Sequence, residues 1–302
     1  AIGSRIGDGS VVHTGLIPFL KYFQAAVKSC SQGGVRGGAA TVYLPVWHLE
    51  FEDLVVLKNN KGTEENRVRH LDYAFQFNKV MYERLLSGGN ITLFSPNDTP
   101  GLFDAFYADQ DEFRRLYEKY ESDDRIRKKS IPAIEVFSQF ITERKDTGRI
   151  YLMNVDHANE HGAFDEQRAP IHQSNLCCEI NLPTRPLQSA DDPEGEISLC
   201  TLSAINWGLI DDPADFEKYC TLSVRALDAL LDYQSYPVSA ARVSTMDRRP
   251  LGVGIINLAY FLAKRGLKYD KESLATIDEY AEAWSYYLIK ASADLAAEKG
   301  AC

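Results

Sequence analysis

The chain has 302 residues, 45% of them hydrophobic, so it can bury a large core and is neither disordered nor of low complexity. Its net charge of −10 excludes a broad surface for the phosphate backbone of DNA or RNA, but leaves room for a local anion pocket that takes a small phosphorylated ligand. No apolar run approaches the roughly 20 residues that span a bilayer, and the N-terminus has no signal-peptide core. We therefore expect a cytoplasmic protein with no membrane partner.

The cysteine content indicates redox or catalytic chemistry. Six cysteines are too sparse for a secreted disulfide scaffold, and no CxxC spacing indicates zinc, so we expect no metal site. The sequence begins without Met and its last helix stops at "AAEKGAC", which suggests an internal piece of a longer protein.

The first part of the chain alternates helical and extended patterns. Residues 15–30 have the apolar periodicity of a helix, and a glycine-rich loop follows at residues 31–40. The β-branched and aromatic residues 41–50 predict a strand. Residues 66–86 predict one amphipathic helix, and residues 90–96 predict a short buried strand.

The rest of the chain continues this alternation. Helices are predicted at 98–106, 109–123, 130–148, 216–234 and from about 271, and extended or apolar stretches at 149–157, 196–208 and 249–266. Strands that alternate with helices of ten or more residues favour parallel strands covered by helices, as in barrel and doubly wound α/β proteins. No internal repeat or linker is evident, so one domain is the simplest count.

Two adjacent cysteines lie in the segment "QSNLCCEINLPTRP". In an extended segment side chains alternate between faces, so Asn175, Cys177 and Glu179 would share one face. Cys178 would take the other face and pack among apolar residues, as free cysteines commonly do. A carboxylate beside a thiol disfavours the thiolate that a nucleophile needs. The pattern favours a protonated thiol at Cys177 that donates and accepts a hydrogen atom.

Three motifs identify a family: "SQGGVRGGAAT" at 31–41, "SNLCCEINLPTRPL" at 174–187 and "GEISLCTLSAINWG" at 195–208. With them the chain resembles the large (α) subunit of class I ribonucleotide reductase. The similarity covers nearly the whole chain, including "HTGLIPF", "FSPND", "GRIYLMNVDH" and "LGVGIINLAY". The resemblance implies part of a ten-stranded α/β barrel with a catalytic loop inside. Residues 1–302 would be a single, partial catalytic domain without the N- and C-terminal portions of the subunit.

The resemblance also implies an activity, the radical-based reduction of ribonucleoside diphosphates to 2′-deoxyribonucleoside diphosphates for DNA synthesis. Cys177 matches the thiyl-radical cysteine that abstracts the ribose 3′ hydrogen. Glu179 matches the general base for the 3′-hydroxyl proton, and Asn175 the amide that binds the sugar hydroxyls. Cys200 matches one of two redox cysteines that end as a disulfide, and its partner would lie outside this chain.

Binding residues are expected in three loops. The resemblance brings Gln32 and Arg36 of the glycine-rich loop near the base, since glycines permit a close approach and arginine contacts a base edge or a phosphate. Arg5 falls where the family has its effector-sensing loop at the dimer interface. The expected substrate-binding residues are Ser174, Asn175, Leu176, Cys177, Cys178, Glu179, Gln32 and Arg36. The expected effector and specificity-loop residues are Arg5, Ser31, Gly33, Gly34 and Gly37.

The cofactors and partners implied by the resemblance are supplied from outside the chain. No cofactor would be bound directly: a metal-containing small (β) subunit would supply the radical, and a thioredoxin- or glutaredoxin-type protein the electrons. ATP and dNTP would act as effectors, and a second large subunit and the remaining pieces of the large subunit would complete the assembly. Two alternatives stay open. One is a non-catalytic nucleotide-binding or assembly module of such a reductase, and the other is a different radical enzyme on the same barrel.

Overall fold

The computed structural model describes residues 1–189 and 191–302, which divide into two compact units, residues 1–183 and 184–302. Each unit is described by itself, as the first and the second unit. Both combine parallel strands with covering helices, which confirms the α/β class predicted from the sequence. The expectation of a single domain over residues 1–302 stays a prediction. Across the described residues, no helix is both long and apolar enough to cross a membrane.

The first unit contains nine strands and seven helices within its described residues. They are β1 (Arg5–Ile6), β2 (Val11–Val12), α1 (Ile17–Lys28), β3 (Ser31–Gln32), β4 (Arg36–Gly37), β5 (Thr41–Pro45), α2 (Phe51–Val55), β6 (Asp72–Phe77), α3 (Lys79–Leu86), β7 (Asn90–Phe94), α4 (Leu102–Ala108), α5 (Gln110–Ser122), β8 (Lys128–Pro132), α6 (Ala133–Thr147), β9 (Ile150–Asn154) and α7 (Val155–Glu160).

A parallel three-stranded sheet in the order β5-β6-β9 forms the centre of the first unit. Thr41 pairs with Asp72 across the first two strands, and Tyr73 pairs with Ile150 across the next two. All six residues of β6 are buried, as expected for a central strand with both faces covered. The strands β7 and β8 pair antiparallel beside this sheet.

The prediction of one helix over residues 66–86 is wrong. The segment divides into the strand β6 and the helix α3, with Asn78 in an extended conformation between them. The sequence of β6, "DYAFQF", has aromatic residues at alternate positions, the period of a strand, but this short signal was overlooked beside the helical pattern that follows it. The aromatic side chains of this strand, Phe75 and Phe77, pack against Phe140 of α6.

Other boundaries differ from the predictions by a few residues. The strand predicted at 41–50 ends at Pro45, and that predicted at 149–157 ends at Asn154, where α7 begins. The helix predicted at 130–148 is confirmed at its end but not at its start, because residues 130–132 belong to β8. It ends at Thr147, and Gly148 has a φ of 66°, the left-handed conformation that glycine adopts without strain.

The second unit has two parallel strands and four helices within its described residues. They are β10 (Leu202–Asn206), α8 (Phe216–Tyr233), α9 (Ser239–Arg248), β11 (Gly252–Ile256), α10 (Leu258–Lys264) and α11 (Leu274–Lys299). The predicted helices at 216–234 and from about 271 are confirmed, but α9 was not predicted. The stretch 249–266, predicted as extended, is extended only in β11 and forms the helix α10 after it. An aromatic cluster of Trp207, Phe216, Phe261 and Tyr280 fills the core of this unit.

Candidate active site

The segment that carries the paired cysteines is a tight turn in the first unit. Ser174 and Asn181 form an antiparallel bridge, and the Ser174 hydroxyl donates to the Ile180 carbonyl oxygen at 2.6 Å. The chain therefore reverses direction between these residues. The prediction that Asn175, Cys177 and Glu179 share one face of an extended strand is wrong, since strict alternation requires an extended backbone.

The turn is organised by the side chain of Asn175. Its Oδ1 accepts hydrogen bonds from the backbone N–H of Glu179 at 3.0 Å and from that of Ile180 at 3.1 Å. The Ser174 hydroxyl oxygen lies 3.2 Å from the same oxygen. Asparagine commonly closes turns in this way. Because the oxygen is committed to the turn, the amide NH2 of Asn175 is the part of this side chain that has donors to offer a substrate.

The two cysteines have different surroundings. Cys177 is exposed at the tip of the turn, and Glu179 is exposed two residues later. Cys178 is half-buried and packs against the core of the first unit, as predicted. Its backbone has a φ of 65°, a left-handed conformation that is costly for a residue with a side chain. Its Sγ lies 3.9 Å from the carbonyl oxygen of Leu152 on β9.

Two hydroxyl groups of β5 hold the turn in place. Thr41 Oγ1 donates to the carbonyl oxygen of Leu176 at 2.6 Å, and the Tyr43 hydroxyl donates to that of Asn175 at 2.7 Å. Burial, and then the contact with Cys178, raises the pKa of the Tyr43 hydroxyl far above its ordinary value, so it remains a proton donor. Sequence reasoning missed both residues. The available signal was a pair of hydroxyl side chains two residues apart in a predicted strand.

The glycine-rich loop forms a short hairpin in which the two expected base-contacting residues are neighbours. Gln32 of β3 pairs directly with Arg36 of β4, and both side chains are exposed. Residues directly opposite each other in an antiparallel pair project from the same face. Gly33 and Gly34 form the turn with φ values of 58° and 71°, which other residues reach only with strain. Ser31 pairs with Gly37 at the open end of the hairpin.

Arg5 lies in a second exposed hairpin, where it pairs with Val12. The base of this hairpin is fixed by the carboxylate of Glu50. Its Oε1 accepts from the Ile2 N–H at 2.7 Å, and its Oε2 accepts from the Leu16 N–H at 2.9 Å. One buried carboxylate therefore ties both ends of the expected effector loop to the start of α2.

Cys200 lies in the second unit, where it is exposed just before β10. The backbone around it has no regular secondary structure, and its course is fixed next to Cys200 by a hydrogen bond of 2.9 Å from the Gly252 N–H to the Thr201 carbonyl oxygen. The structure thus brings Ser174, Asn175, Leu176, Cys177, Cys178 and Glu179 together in one turn and carries Cys200 in the other unit. Within residues 1–189 and 191–302, no three His, Cys, Asp or Glu side chains form a group that could hold a metal ion.

Comparison with known proteins gives one consistent family. The family model described as "Ribonucleotide reductase, barrel domain" matches residues 1–302. The ribonucleoside-diphosphate reductase subunit alpha of Haemophilus influenzae is 60% identical over 100% of this chain and 40% of that protein. Subunit alpha of the Escherichia coli ribonucleoside-diphosphate reductase 1 is also 60% identical, with the same coverage. Subunit alpha of Enterobacteria phage T4 is 52% identical over 99% of this chain and 40% of that protein. The chain spans about 40% of the length of these curated relatives.

Proposed function

Since the chain belongs to the family of ribonucleotide reductase barrel domains, we propose that it supplies the substrate-reducing turn of a ribonucleoside-diphosphate reductase α subunit. The observation that supports this function best is the turn at residues 174–181. It presents the thiol of Cys177 and the carboxylate of Glu179 to solvent while hydrogen bonds fix the backbone that carries them. Reacting groups that are already held in the required geometry lower the activation free energy of the reaction.

The proposed chemistry begins with a radical at Cys177 that the assembled enzyme receives from outside this chain. The Cys177 sulfur takes the 3′ hydrogen atom of the ribose, which leaves a carbon radical at C3′. Glu179 takes the proton of the 3′-hydroxyl as general base, and the 2′-hydroxyl departs as water with a proton from one thiol. Cys200 and a second thiol provide two electrons and two protons in all, one proton to the departing hydroxyl and one to C2′, and form one S–S bond. Glu179 then returns its proton to the 3′ oxygen. Cys177 finally returns the hydrogen atom to C3′, so one ribonucleotide and two thiols give one deoxyribonucleotide, one disulfide and water.

The proposal includes the external components that this chemistry requires. A metal-containing β subunit would supply the radical, a thioredoxin- or glutaredoxin-type protein would reduce the disulfide, and ATP or dNTP would act as effectors. A second α subunit and the remaining segments of the α subunit would complete the site, in the cytoplasm. The exposed hairpins with Gln32, Arg36 and Arg5 would contact the base and the effector.

A second candidate is a nucleotide-binding or assembly module without chemistry of its own. The observation that favours it is that Arg5, Gln32 and Arg36 lie exposed on hairpins. Such a module would use the same exposed hairpins but would not depend on the thiol of Cys177.

Reconstitution separates the two candidates. The chain would be combined with the remaining α segments, the β subunit, a dithiol reductant and a ribonucleoside diphosphate, and deoxynucleotide would be quantified. We expect product only when the chain is present, and none with Cys177→Ser, although this variant still assembles and binds the nucleotide. Full activity with Cys177→Ser would support the assembly module and refute the catalytic role.

A further inference from the structure

Helix α9 presents one face to the segment that leads to Cys200, which we call the cysteine segment (residues 196–200). Ala240, Ser244 and Arg248 follow one another at intervals of four residues, so they lie along the same face of the helix. Ala240 is fully buried and Ser244 is 1% exposed, so this face is packed against protein rather than open to solvent.

The cysteine segment is fastened to this face at neighbouring residues. The backbone N–H of Ile197 donates to the carbonyl oxygen of Ala240 at 3.2 Å. The hydroxyl oxygen of Ser198 lies 3.3 Å from that of Ser244. Residues 197–200 lie outside regular secondary structure, and the contacts with α9 help to hold this part of the chain in place.

The strongest contact is made by Glu196, at the start of the segment. Arg248 donates from Nε to Oε2 at 2.9 Å and from Nη2 to Oε1 at 3.1 Å. Arg185 adds a third contact at 3.2 Å to Oε1, and its backbone pairs with that of Glu196 in an antiparallel bridge. The Glu196 side chain is only 9% exposed, so its charge depends on these two guanidinium groups.

We propose that Arg248, acting through Glu196, is a positioning residue for Cys200. The inference rests on the proposed function, because only there does the Cys200 thiol react. In that step, Cys200 and a thiol outside the chain together give two electrons and two protons to the sugar intermediate and form one S–S bond. Removal of the Arg248 guanidinium leaves the buried Glu196 carboxylate undercompensated. The cysteine segment then leaves α9, and Cys200 loses the placement that the reduction requires.

Hydrogen exchange tests the structural half of the inference on the chain alone. The variants are Arg248→Met, which keeps the length of the side chain, and Arg248→Lys, which keeps the charge. Arg225→Met is the matched control, because it removes an exposed arginine–glutamate pair, Arg225 with Glu298, from the same unit. We expect the Ile197 amide to exchange about tenfold faster in Arg248→Met, the effect of losing a charge-assisted hydrogen bond. The exchange rate of this amide in Arg248→Lys should lie between the rates in Arg248→Met and the parent, and Arg225→Met should leave the rate unchanged. An unchanged rate in Arg248→Met would overturn the inference.

The effect of Arg248 on the reaction of Cys200 is tested in the reconstituted enzyme. The quantity measured is the ratio of ribonucleotide consumed to deoxynucleotide formed. Misplacement of Cys200 impairs the reduction but not the earlier removal of the 3′ hydrogen, so the ratio should rise in Arg248→Met and fall back in Arg248→Lys. A general loss of folded protein would lower both amounts together, and an unchanged ratio would therefore contradict the positioning role. Failure of the proposed function is a separate outcome, since it would appear as product formation by Cys177→Ser.

Discussion

The Tyr43 hydroxyl of β5 donates a hydrogen bond of 2.7 Å to the backbone carbonyl oxygen of Asn175, two residues before the exposed Cys177. A strand of the parallel sheet thereby fixes the turn that carries the proposed reacting groups. Sites built on rigid elements hold their geometry better than sites on free loops, and a small misplacement of reacting groups is costly.

Tyr43→Phe should therefore reduce activity more than it reduces stability. The variant loses one hydrogen bond, which costs about 1 kcal/mol of the free energy of unfolding, whereas the misplaced turn should lower deoxynucleotide formation about tenfold or more. Tyr73→Phe is the matched control, because Tyr73 is a buried tyrosine of the same sheet that donates to the Val68 carbonyl oxygen at 2.7 Å. Urea unfolding and the reconstituted assay measure the two quantities. Equal losses of activity in both variants would show that Tyr43 has no special effect on the turn.

Two substitutions at Asn175 should separate its structural role from its role toward substrate. Asn175→Asp keeps an oxygen that accepts from the Glu179 and Ile180 amides but removes the NH2 donors, so the turn should persist while activity is lost. Asn175→Ala removes the acceptor as well and should destabilise the first unit by about 1–3 kcal/mol. Unfolding experiments and the reductase assay check both. An active Asn175→Asp enzyme would contradict the assignment of the NH2 group to substrate binding.

Substitution of a glycine in the hairpin that carries Gln32 and Arg36 tests whether the conformation of its turn matters for nucleotide binding. Gly34→Ala places a side chain at a φ of 71° in open space, so its cost is conformational strain alone, about 1–2 kcal/mol. If the hairpin contacts the nucleotide, this strain should raise KM for the ribonucleoside diphosphate about tenfold. Gly88→Ala, also in open space and at a positive φ of 66° but outside the hairpin, should leave KM close to the parent value. The same KM in both variants would argue against a role of the turn geometry.

The stability of the first unit should fall in mild acid because of His48. Burial is the main reason that the pKa of His48 is lowered to about 4, and its Nδ1 accepts a hydrogen bond of 3.2 Å from the Glu50 N–H, which requires the neutral ring. The unfolded chain takes up this proton near pH 6.5, but the folded protein resists it until about pH 4. Stability is therefore fully present above pH 6.5 and is lost as the pH falls toward 4. The expected loss from this group is about 2 kcal/mol between pH 7.5 and pH 5.

Urea unfolding of His48→Gln at the two pH values checks the assignment, because this variant should lose the His48 contribution to the pH dependence. His70→Gln, at an exposed histidine, should keep it. If the parent and His48→Gln showed the same dependence, another group would be responsible.

Much of the fold could be predicted from the sequence, and the exceptions have physical causes. Helix α6 was predictable because an apolar period ends at a glycine that closes the helix, Gly148. The strand β6 was not, because its alternation of aromatic residues covers only six positions and runs directly into the helical pattern of α3. Helix α9 has polar and small residues along most of its length, so its apolar signal is weak.

The sequence motifs indicated the family, but they did not contain the geometry of the candidate site. The chemistry inferred from the residue types at Asn175, Cys177 and Glu179 stays a prediction. The tight turn depends on hydrogen bonds between the Asn175 side chain and the backbone. The alternation of side chains between the two faces of a strand gives no information about such bonds. The contacts from Thr41 and Tyr43 join residues more than 130 positions apart, a relation that one sequence does not reveal.

We propose separate roles for the two adjacent cysteines, with chemistry at Cys177 and packing at Cys178. The most direct measurement compares deoxynucleotide formation by Cys177→Ser and Cys178→Ser in the reconstituted enzyme. Both variants replace one sulfur by oxygen within the same turn, so they perturb the backbone to a similar degree. We predict no product with Cys177→Ser and substantial product with Cys178→Ser, because Cys178 packs against the core. Product from Cys177→Ser, or its loss in Cys178→Ser alone, would show that the reaction does not depend on the thiol of Cys177.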